Sequence, residues 1–351
     1  MSKSLVDAIF AQVKDYKARN YIINDCSLYG GEPLLAENKD IIRYICEKCR
    51  ENDMTIRATT NGTDLDKYLD LIQEFKFTNL QITVDGPKEI HDKRRFFADG
   101  SGSFDKIMNN IALALEREIK IIVHVNVGKS NIDHMSELEQ EFKSRGFTEK
   151  KNFSYYFRGV FDTPDAIDES EILKTLINSG HSLYDAIKLA SFYSISARSL
   201  YAWLDKKIWP KINPTYCGTQ NSMNVIGPDG LIFPCWNVVA KDELAMGFVD
   251  EASQKFLYNF SMTEWRTRYV NNMTPCKDCE YLMLCGGGCA RKYPEEKMYT
   301  GICQNFQEVF NYTAPKAIAK FLRRCRQNRK YMIVYKKFLL RVKKIYEIRT
   351  S

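Results

Sequence analysis

Apolar positions in the N-terminal part of the chain follow two spacings that alternate along the sequence. A spacing of three and four residues predicts helices over 5–17, 38–52, 65–75 and 104–118. Shorter apolar runs between these helices predict strands over 21–29, 55–59, 79–84 and 119–127. Strands that alternate with helices indicate an α/β fold with a parallel sheet.

Each of the first three predicted strands is followed by a turn of glycine and polar residues. The turns read GGEP at 30–33, TTNGT at 59–63 and VDGP at 84–87. Ligand-binding loops of parallel βα units lie at the carboxyl ends of the strands. We therefore expect the three turns to meet at one edge of the sheet and to form one site.

The rest of the chain divides into parts of different composition. After a first domain over 1–160, the irregular helical pattern of 161–213 indicates a connecting segment. Cysteines concentrate in 214–310, and a basic helix is predicted over 311–351. Between positions 316 and 349 there are thirteen Lys and Arg and one acid, so this tail carries +12 and the body about −5. The body is therefore not expected to bind nucleic acid.

An apolar stripe runs along the predicted basic helix. Its members are Tyr331, Val334, Tyr335, Phe338, Val342 and Ile345. Such a helix can lie on an anionic membrane surface or bind an acidic leader peptide. We favour a third interpretation, in which the stripe packs on the body of the chain and the charges face solvent.

Composition also bears on location and on the use of cysteine. The chain shows no secretory start, and no apolar window approaches the roughly 20 residues of a membrane span. We therefore expect a cytoplasmic protein. Eleven cysteines in such a protein favour a metal or iron–sulfur site over disulfides, because cytosolic thiols are kept reduced.

Seven of the cysteines form a spaced pattern in the C-terminal part. They are Cys217, Cys235, Cys276, Cys279, Cys285, Cys289 and Cys303. Close pairs let sulfurs converge on one centre, and the glycines at 286–288 let the backbone fold tightly around it. Seven thiolates are more than one centre uses. On spacing alone, a zinc ribbon and an iron–sulfur domain both remain open.

The sequence around these cysteines is more specific. The GPDG turn and the LIFPC run before Cys235, taken with the seven cysteines, resemble the SPASM auxiliary-cluster domain. The three turns, followed by HDKRR at 91–95 and GSGSFDKIMNNI at 100–111, resemble successive motifs of the radical S-adenosylmethionine enzymes that carry this domain. The resemblance covers about 1–303. It implies a partial parallel (β/α) barrel, a small SPASM domain and a C-terminal helix.

The same resemblance assigns residues to S-adenosylmethionine. GGEP binds the amino end of this cofactor in the family, which implies that role for Gly30, Gly31 and Glu32. Thr83 occupies the place of the ribose-contacting serine and keeps the hydroxyl. Asp85, Asn61 and Arg95 stand in matching motifs, but holding the strand-end turns together is an equally good interpretation of these three.

The resemblance also implies two auxiliary 4Fe-4S clusters. Cys217, Cys235 and Cys289 correspond to one cluster, and Cys276, Cys279, Cys285 and Cys303 to the other. Three cysteines leave one iron of the first cluster open, and a substrate thiolate is a candidate ligand for it.

Two departures from the family pattern stand out. The CxxxCxxC motif that holds the reductive cluster does not occur in the sequence, and MSKSLVDAIF resembles the family's first helix already under way. We expect a truncated form that lacks the first barrel strand and has no turnover by itself. Cys26, Cys46 and Cys49 are an alternative cluster site, but ordinary buried cysteines are the favoured interpretation.

The second departure concerns the substrate. In sulfatase-maturing relatives an aspartate that serves as a base follows the second SPASM cysteine, whereas Trp236 follows Cys235 here. This argues against formylglycine formation. We therefore predict a maturase that modifies a ribosomally made peptide or protein and that receives electrons from a reducing donor. The alternatives are a non-catalytic iron–sulfur protein, which passes electrons or binds peptide, and a zinc-ribbon binding module.

Overall fold

The structure is a computed structural model. It describes residues 1–160, 163–190, 214–220, 223–239, 241–274, 276–290 and 306–327, together with Met332, Ile333 and Lys336. Cys303 and the apolar stripe of the basic tail lie outside the described residues.

A five-stranded parallel sheet forms the N-terminal part, with the strands in chain order. Its strands are β1 Asp25–Leu28, β2 Thr55–Thr60, β3 Asn79–Thr83, β4 Ile121–Val127 and β5 Phe153–Gly159. Alternate residues such as Ile56, Leu80 and Val123 are buried in the main core. The α/β class is confirmed, and the parallel sheet agrees with the expected partial barrel.

The described residues of this part of the chain form eight α-helices. They are α1 Lys3–Ala18, α2 Lys39–Glu51, α3 Leu69–Glu74, α4 Lys88–Arg94, α5 Phe104–Glu116, α6 Met135–Ser144, α7 Glu169–Asn178 and α8 Leu183–Leu189. The helix predicted over 65–75 begins as a 3-10 turn, Leu65–Tyr68, before α3. Most of the connecting segment predicted over 161–213 lies outside the described residues, and α7 and α8 are its described helices.

The first strand is shorter than the sequence predicts. Tyr21 is 63% exposed and Ile22 is 85% exposed, so neither residue gains apolar burial by extending β1. Tyr21 N–H donates instead to the Tyr16 carbonyl, which continues the end of α1. The prediction of a strand over 21–29 is therefore wrong at its N-terminal end.

A second sheet of four antiparallel strands follows. Its strands are β6 Val225–Ile226, β7 Leu231–Phe233, β8 Gly247–Asp250 and β9 Lys255–Tyr258. The helices after it are α9 Phe260–Arg266, α10 Leu282–Cys285 and α11 Phe306–Gln327. No described helix combines the length and the apolarity that crossing a membrane requires.

Helix α1 joins the two sheets. Val6 and Phe10 belong to the main core, whereas Leu5 and Ala8 pack in a second core with Trp265 and neighbours from β7 and β8. The buried Gln12 side chain accepts the Phe256 N–H of β9 at 3.0 Å. The first helix therefore fixes how the C-terminal sheet sits on the first sheet.

Leu5→Ala tests this role of α1. Leu5 is 3% exposed, and removing its branched end leaves a cavity between α1 and the second sheet. We expect the free energy of unfolding to fall by about 2–5 kcal/mol in urea denaturation. Leu113→Ala, at a residue that is 44% exposed, is the matched control and should cost less than about 1 kcal/mol. Equal losses for the two variants would contradict the assigned packing.

Candidate functional site

The Glu32 carboxylate ties the turn after β1 to the turn after β2. Its Oε1 accepts the Thr60 hydroxyl at 2.6 Å and the Leu34 N–H at 2.9 Å, and its Oε2 accepts the Asn61 N–H at 2.5 Å. All three donors are neutral. Among the described residues Glu32 has no ion-pair partner, so its negative charge stays available at the edge of the sheet.

Glycine is required in both of these turns. Gly30 has φ of 130°, and a side chain there would meet nothing within 4 Å, so a ligand can approach the backbone closely. Gly62 has φ of 83°, and a Cβ there would lie 2.9 Å from Cγ2 of Ile82. Gly30 therefore leaves open space at the edge, whereas Gly62 lets the second turn pack on β3.

Thr83 ends β3 on the face of the sheet opposite the row of Leu80 and Ile82. It is 9% exposed, and no described residue hydrogen-bonds to its hydroxyl. In register with it lie His124 on β4 and, one strand further, Tyr156 on β5. Thr83, His124 and Tyr156 thus form a polar row on the inner face of the sheet, which is the face opposite Leu80 and Ile82.

Asp85 organises the turn after β3. Its Oδ2 accepts Arg95 Nε at 2.7 Å, and its Oδ1 accepts Asn126 Nδ2 at 3.1 Å. Its carbonyl accepts Asn131 Nδ2 at 2.7 Å. Asp85 is 4% exposed, so these contacts satisfy a nearly buried carboxylate. For Asp85 and Arg95 the turn-holding interpretation has direct geometric support, and Asn61 holds its own turn by accepting the Thr63 N–H at 2.8 Å.

The buried His91 ring hydrogen-bonds to the backbone of the Asp85 turn. Its Nδ1 accepts the Asp85 N–H at 3.1 Å, and its Nε2 lies 3.0 Å from the Ser103 hydroxyl, which in turn donates to the Arg95 carbonyl. Nε2 therefore carries the proton and donates. Burial lowers the pKa of His91 to about 4, so the ring is neutral at pH 7.

His91, Asn126 and Asn131 were not predicted as parts of this site. Asn131 also accepts the Gly128 N–H at 2.7 Å, so it links the end of β4 to the Asp85 turn. A usable signal was present, because polar residues follow the β4 run in VNVGKSN as they follow the three earlier strands. The edge thus carries four polar turns where three were expected.

Cys217 and Cys289 lie near enough to Cys235 to affect its pKa, although the three described thiols are not grouped closely enough to hold a metal ion. Burial raises the pKa of Cys235, and the nearby thiols of Cys289 and Cys217 raise it further. The backbone N–H and the Nδ2 of Asn237 lie 3.5 and 3.6 Å from Cys235 Sγ, where both donate. These are the three cysteines that the resemblance assigns to one cluster.

Buried polar side chains position the loops of these cysteines. The Gln220 side chain accepts the Cys217 N–H at 3.1 Å and donates to the Arg268 carbonyl at 2.8 Å. Arg268 is fully buried, and its guanidinium donates to the carbonyls of Gly287 and Gly288, directly before Cys289. Nothing in the local sequence pattern predicts these long-range contacts.

The second set of cysteines is described in part. Cys276 and Cys279 lie in one turn, where the Cys279 N–H donates to the Cys276 carbonyl at 3.0 Å, and Cys285 ends α10. Cys303 falls outside the described residues. Within the part of the chain that the structure describes, no three His, Cys, Asp or Glu side chains are grouped closely enough to hold a metal ion.

Cys26, Cys46 and Cys49 come together between β1 and α2. Cys46 and Cys49 are fully buried, and Cys26 on β1 packs against the same core. Burial raises the pKa of Cys46 to about 12, which keeps this thiol protonated at neutral pH. Their packing in the main core fits the favoured interpretation as buried cysteines.

Trp236, which follows Cys235, reaches towards the GGEP turn. Its ring lies 5.2 Å from that of Tyr29, the residue directly before Gly30. The cysteine region and the edge of the parallel sheet therefore meet at this aromatic pair.

Comparison with known proteins identifies the N-terminal part. Residues 3–142 match the family model of the Radical SAM superfamily. Residues 3–142 are therefore similar to the radical SAM domain. They span β1 to β4 and so include the Glu32, Thr83 and Asp85 turns.

Curated relatives extend the likeness beyond the radical SAM domain. A cysteine-type anaerobic sulfatase-maturating enzyme of Clostridium novyi (strain NT) is 27% identical over 304 residues, which cover 82% of this chain and 79% of that protein. The sporulation killing factor maturation protein SkfB of Bacillus subtilis (strain 168) is 26% identical over 125 residues, or 35% of this chain and 29% of that protein.

Solved structures share the fold. Native anSMEcpe with bound AdoMet and Cp18Cys peptide aligns with a TM-score of 0.66 at 20% identity, covering 92% of each chain. Streptococcus suis SuiB bound to precursor peptide SuiA aligns with a TM-score of 0.56 at 14% identity, covering 85% of this chain and 68% of that one. The described part of the chain therefore has the fold of these proteins.

His91 makes stability depend on pH. Its pKa is near 6.5 in the unfolded chain and about 4 when folded, so the unfolded state binds more protons between these values. The contribution is fully present above pH 6.5 and is lost at about 1.4 kcal/mol per unit as pH falls towards 4. Urea denaturation from pH 7 to 4.5 should show a shallower loss in His91→Gln than in the wild type. Identical pH slopes would contradict a neutral, buried His91.

Proposed function

We propose that this protein is a radical S-adenosylmethionine maturase that modifies a peptide or protein substrate. The Glu32 carboxylate carries the proposal, because neutral donors fix it at the carboxyl edge of the sheet and no cation among the described residues neutralises it. A fixed, uncompensated carboxylate fits the ammonium group of S-adenosylmethionine. The open backbone at Gly30 and Gly31 lets that end of the molecule come close.

Other residues of the edge complete the proposed cofactor site. Thr83 offers a hydroxyl without a described partner to the ribose, two strands away from the Glu32 turn. Asp85 holds Arg95 by a 2.7 Å ion pair and keeps the third turn in place. When bound, S-adenosylmethionine and a reducing iron–sulfur cluster supply a radical that abstracts hydrogen from the substrate. The chain's own residues bind and orient the cofactor.

We further propose that the cysteine region holds two auxiliary 4Fe-4S clusters. Cys217, Cys235 and Cys289 are proposed for one cluster on the family pattern, and the effect of Cys217 and Cys289 on the pKa of Cys235 supports this grouping. The two Asn237 donors on Cys235 Sγ also favour a thiolate, since hydrogen bonds to cluster sulfurs stabilise the charged form. Cys276, Cys279, Cys285 and Cys303 are proposed for the other cluster on the family pattern.

The proposed substrate is a peptide or protein, in keeping with relatives whose names describe maturation of a sulfatase and of a sporulation killing factor. Trp236 in place of an aspartate favours a modification other than formylglycine formation. We place the protein in the cytoplasm, where a reducing electron donor is at hand and thiols stay reduced.

Glu32→Gln tests the cofactor site. Removing the charge eliminates the attraction for the ligand ammonium, so the affinity for S-adenosylmethionine should fall at least about tenfold in anaerobic titration calorimetry. Glu37→Gln, at an exposed position just beyond the GGEP turn, should bind like the wild type. Unchanged affinity in Glu32→Gln, or equal losses in both variants, would contradict the proposed role.

Metal analysis tests the auxiliary clusters. After anaerobic reconstitution with iron and sulfide, the wild-type chain should hold about eight irons and absorb broadly near 400 nm. Cys235→Ala should lose about four irons, whereas Cys46→Ala, which removes a buried thiol outside the pattern, should lose none. Zinc without sulfide in the wild type would instead favour a zinc-ribbon module and overturn the auxiliary-cluster proposal.

A further inference from the structure

His124 occupies the centre of the polar row on the inner face of the sheet. Its register partner on β3 is Thr83, and its partner on β5 is Tyr156, whose ring stacks on the imidazole at 4.9 Å between centroids and 19° between planes. The stacking fixes the orientation of the imidazole ring. His124 therefore projects beside the hydroxyl that the proposed function assigns to the ribose.

Hydrogen bonds on the row decide which imidazole nitrogen carries the proton. The Tyr156 hydroxyl donates to Gln81 Oε1 at 2.9 Å, so the amide nitrogen of Gln81 faces the other way. That nitrogen lies 3.4 Å from His124 Nδ1 and donates to it. Nδ1 is thus the acceptor, and the proton of the neutral ring is on Nε2.

The Nε2–H group has no hydrogen-bond partner among the described residues. Among the described residues, this nitrogen is the one buried side-chain nitrogen or oxygen atom that lacks a hydrogen bond. Burial lowers the pKa of His124 to about 4, with Arg158 as a further cause, so the ring does not gain a second proton at neutral pH. A buried donor without an acceptor destabilises the folded chain. The group that would satisfy it is a hydrogen-bond acceptor.

We propose that the Nε2–H of His124 binds an acceptor atom of the adenosyl group of S-adenosylmethionine. The inference rests on the proposed function, which places the amino end of this molecule at Glu32 and the ribose at Thr83. Strand β4 lies next to β3 on the side away from β1. Neighbouring strands are about 4.8 Å apart. The ribose oxygens and the ring nitrogens of adenine are acceptors, so the nucleoside supplies what the buried donor lacks.

Calorimetric titration with two probes tests the proposal on the full chain. Adenosine carries the nucleoside alone, and S-adenosylhomocysteine adds the amino acid end. His124→Phe keeps an aromatic ring to stack on Tyr156 but has no donor, so both probes should bind about three- to tenfold more weakly. His124→Gln keeps a donor near the Nε2 position and should recover part of the affinity.

A stability readout separates binding from structure. Because His124→Phe removes an unsatisfied buried donor, its thermal unfolding midpoint without ligand should equal or exceed that of the wild type. His181→Phe is the matched control, since the His181 Nε2 already has a partner in the Glu139 carboxylate of α6 at 2.9 Å. This control should lower the midpoint and leave the affinity for both probes unchanged.

The outcomes distinguish the inference from the function on which it rests. Weaker binding of both probes to His124→Phe supports the inference. A loss for S-adenosylhomocysteine alone, or equal affinity in the wild type and His124→Phe, overturns it and leaves the proposed function standing. Failure of the wild type to bind either probe contradicts the proposed function, and the inference falls with it.

Discussion

Parallel pairing of the five N-terminal strands is the constraint on which the site depends. Because each strand runs in the same direction, the turns after β1, β2, β3 and β4 emerge at one edge. The Glu32 carboxylate then joins the first two turns, and the Asp85 carbonyl joins the third turn to the fourth by accepting Asn131 Nδ2. Both carboxylates accept hydrogen bonds from groups of the protein itself. These bonds hold the backbone of the turns in place without a ligand.

The two acids differ in whether their negative charge is compensated within the protein. Asp85 is nearly buried and paired with Arg95, so its charge is compensated within the protein. Glu32 is held only by neutral donors among the described residues and keeps its charge at the edge. This difference separates a residue that supports the turn from one that is suited to a cationic ligand, although both stand in motifs of the same family.

Much of the N-terminal fold and the position of its site could be predicted from sequence. The spacing of apolar residues predicted α1, α2, α5 and the first four strands, because each element buries one regular face. Strand β5 was not among the predicted elements, and β1 is shorter than its apolar run, because Tyr21 and Ile22 find no core to cover them. Gln220 and Arg268 were missed for another reason, since they act on backbone groups far away in sequence and leave no local spacing pattern.

A crystal structure of the protein with S-adenosylmethionine tests the central claim most directly. We expect the amino nitrogen of the ligand within about 3 Å of a Glu32 oxygen, and the ribose beside the Thr83 hydroxyl. A ligand bound away from the carboxyl edge of the parallel sheet, or with its amino end remote from Glu32, would contradict this role of the edge.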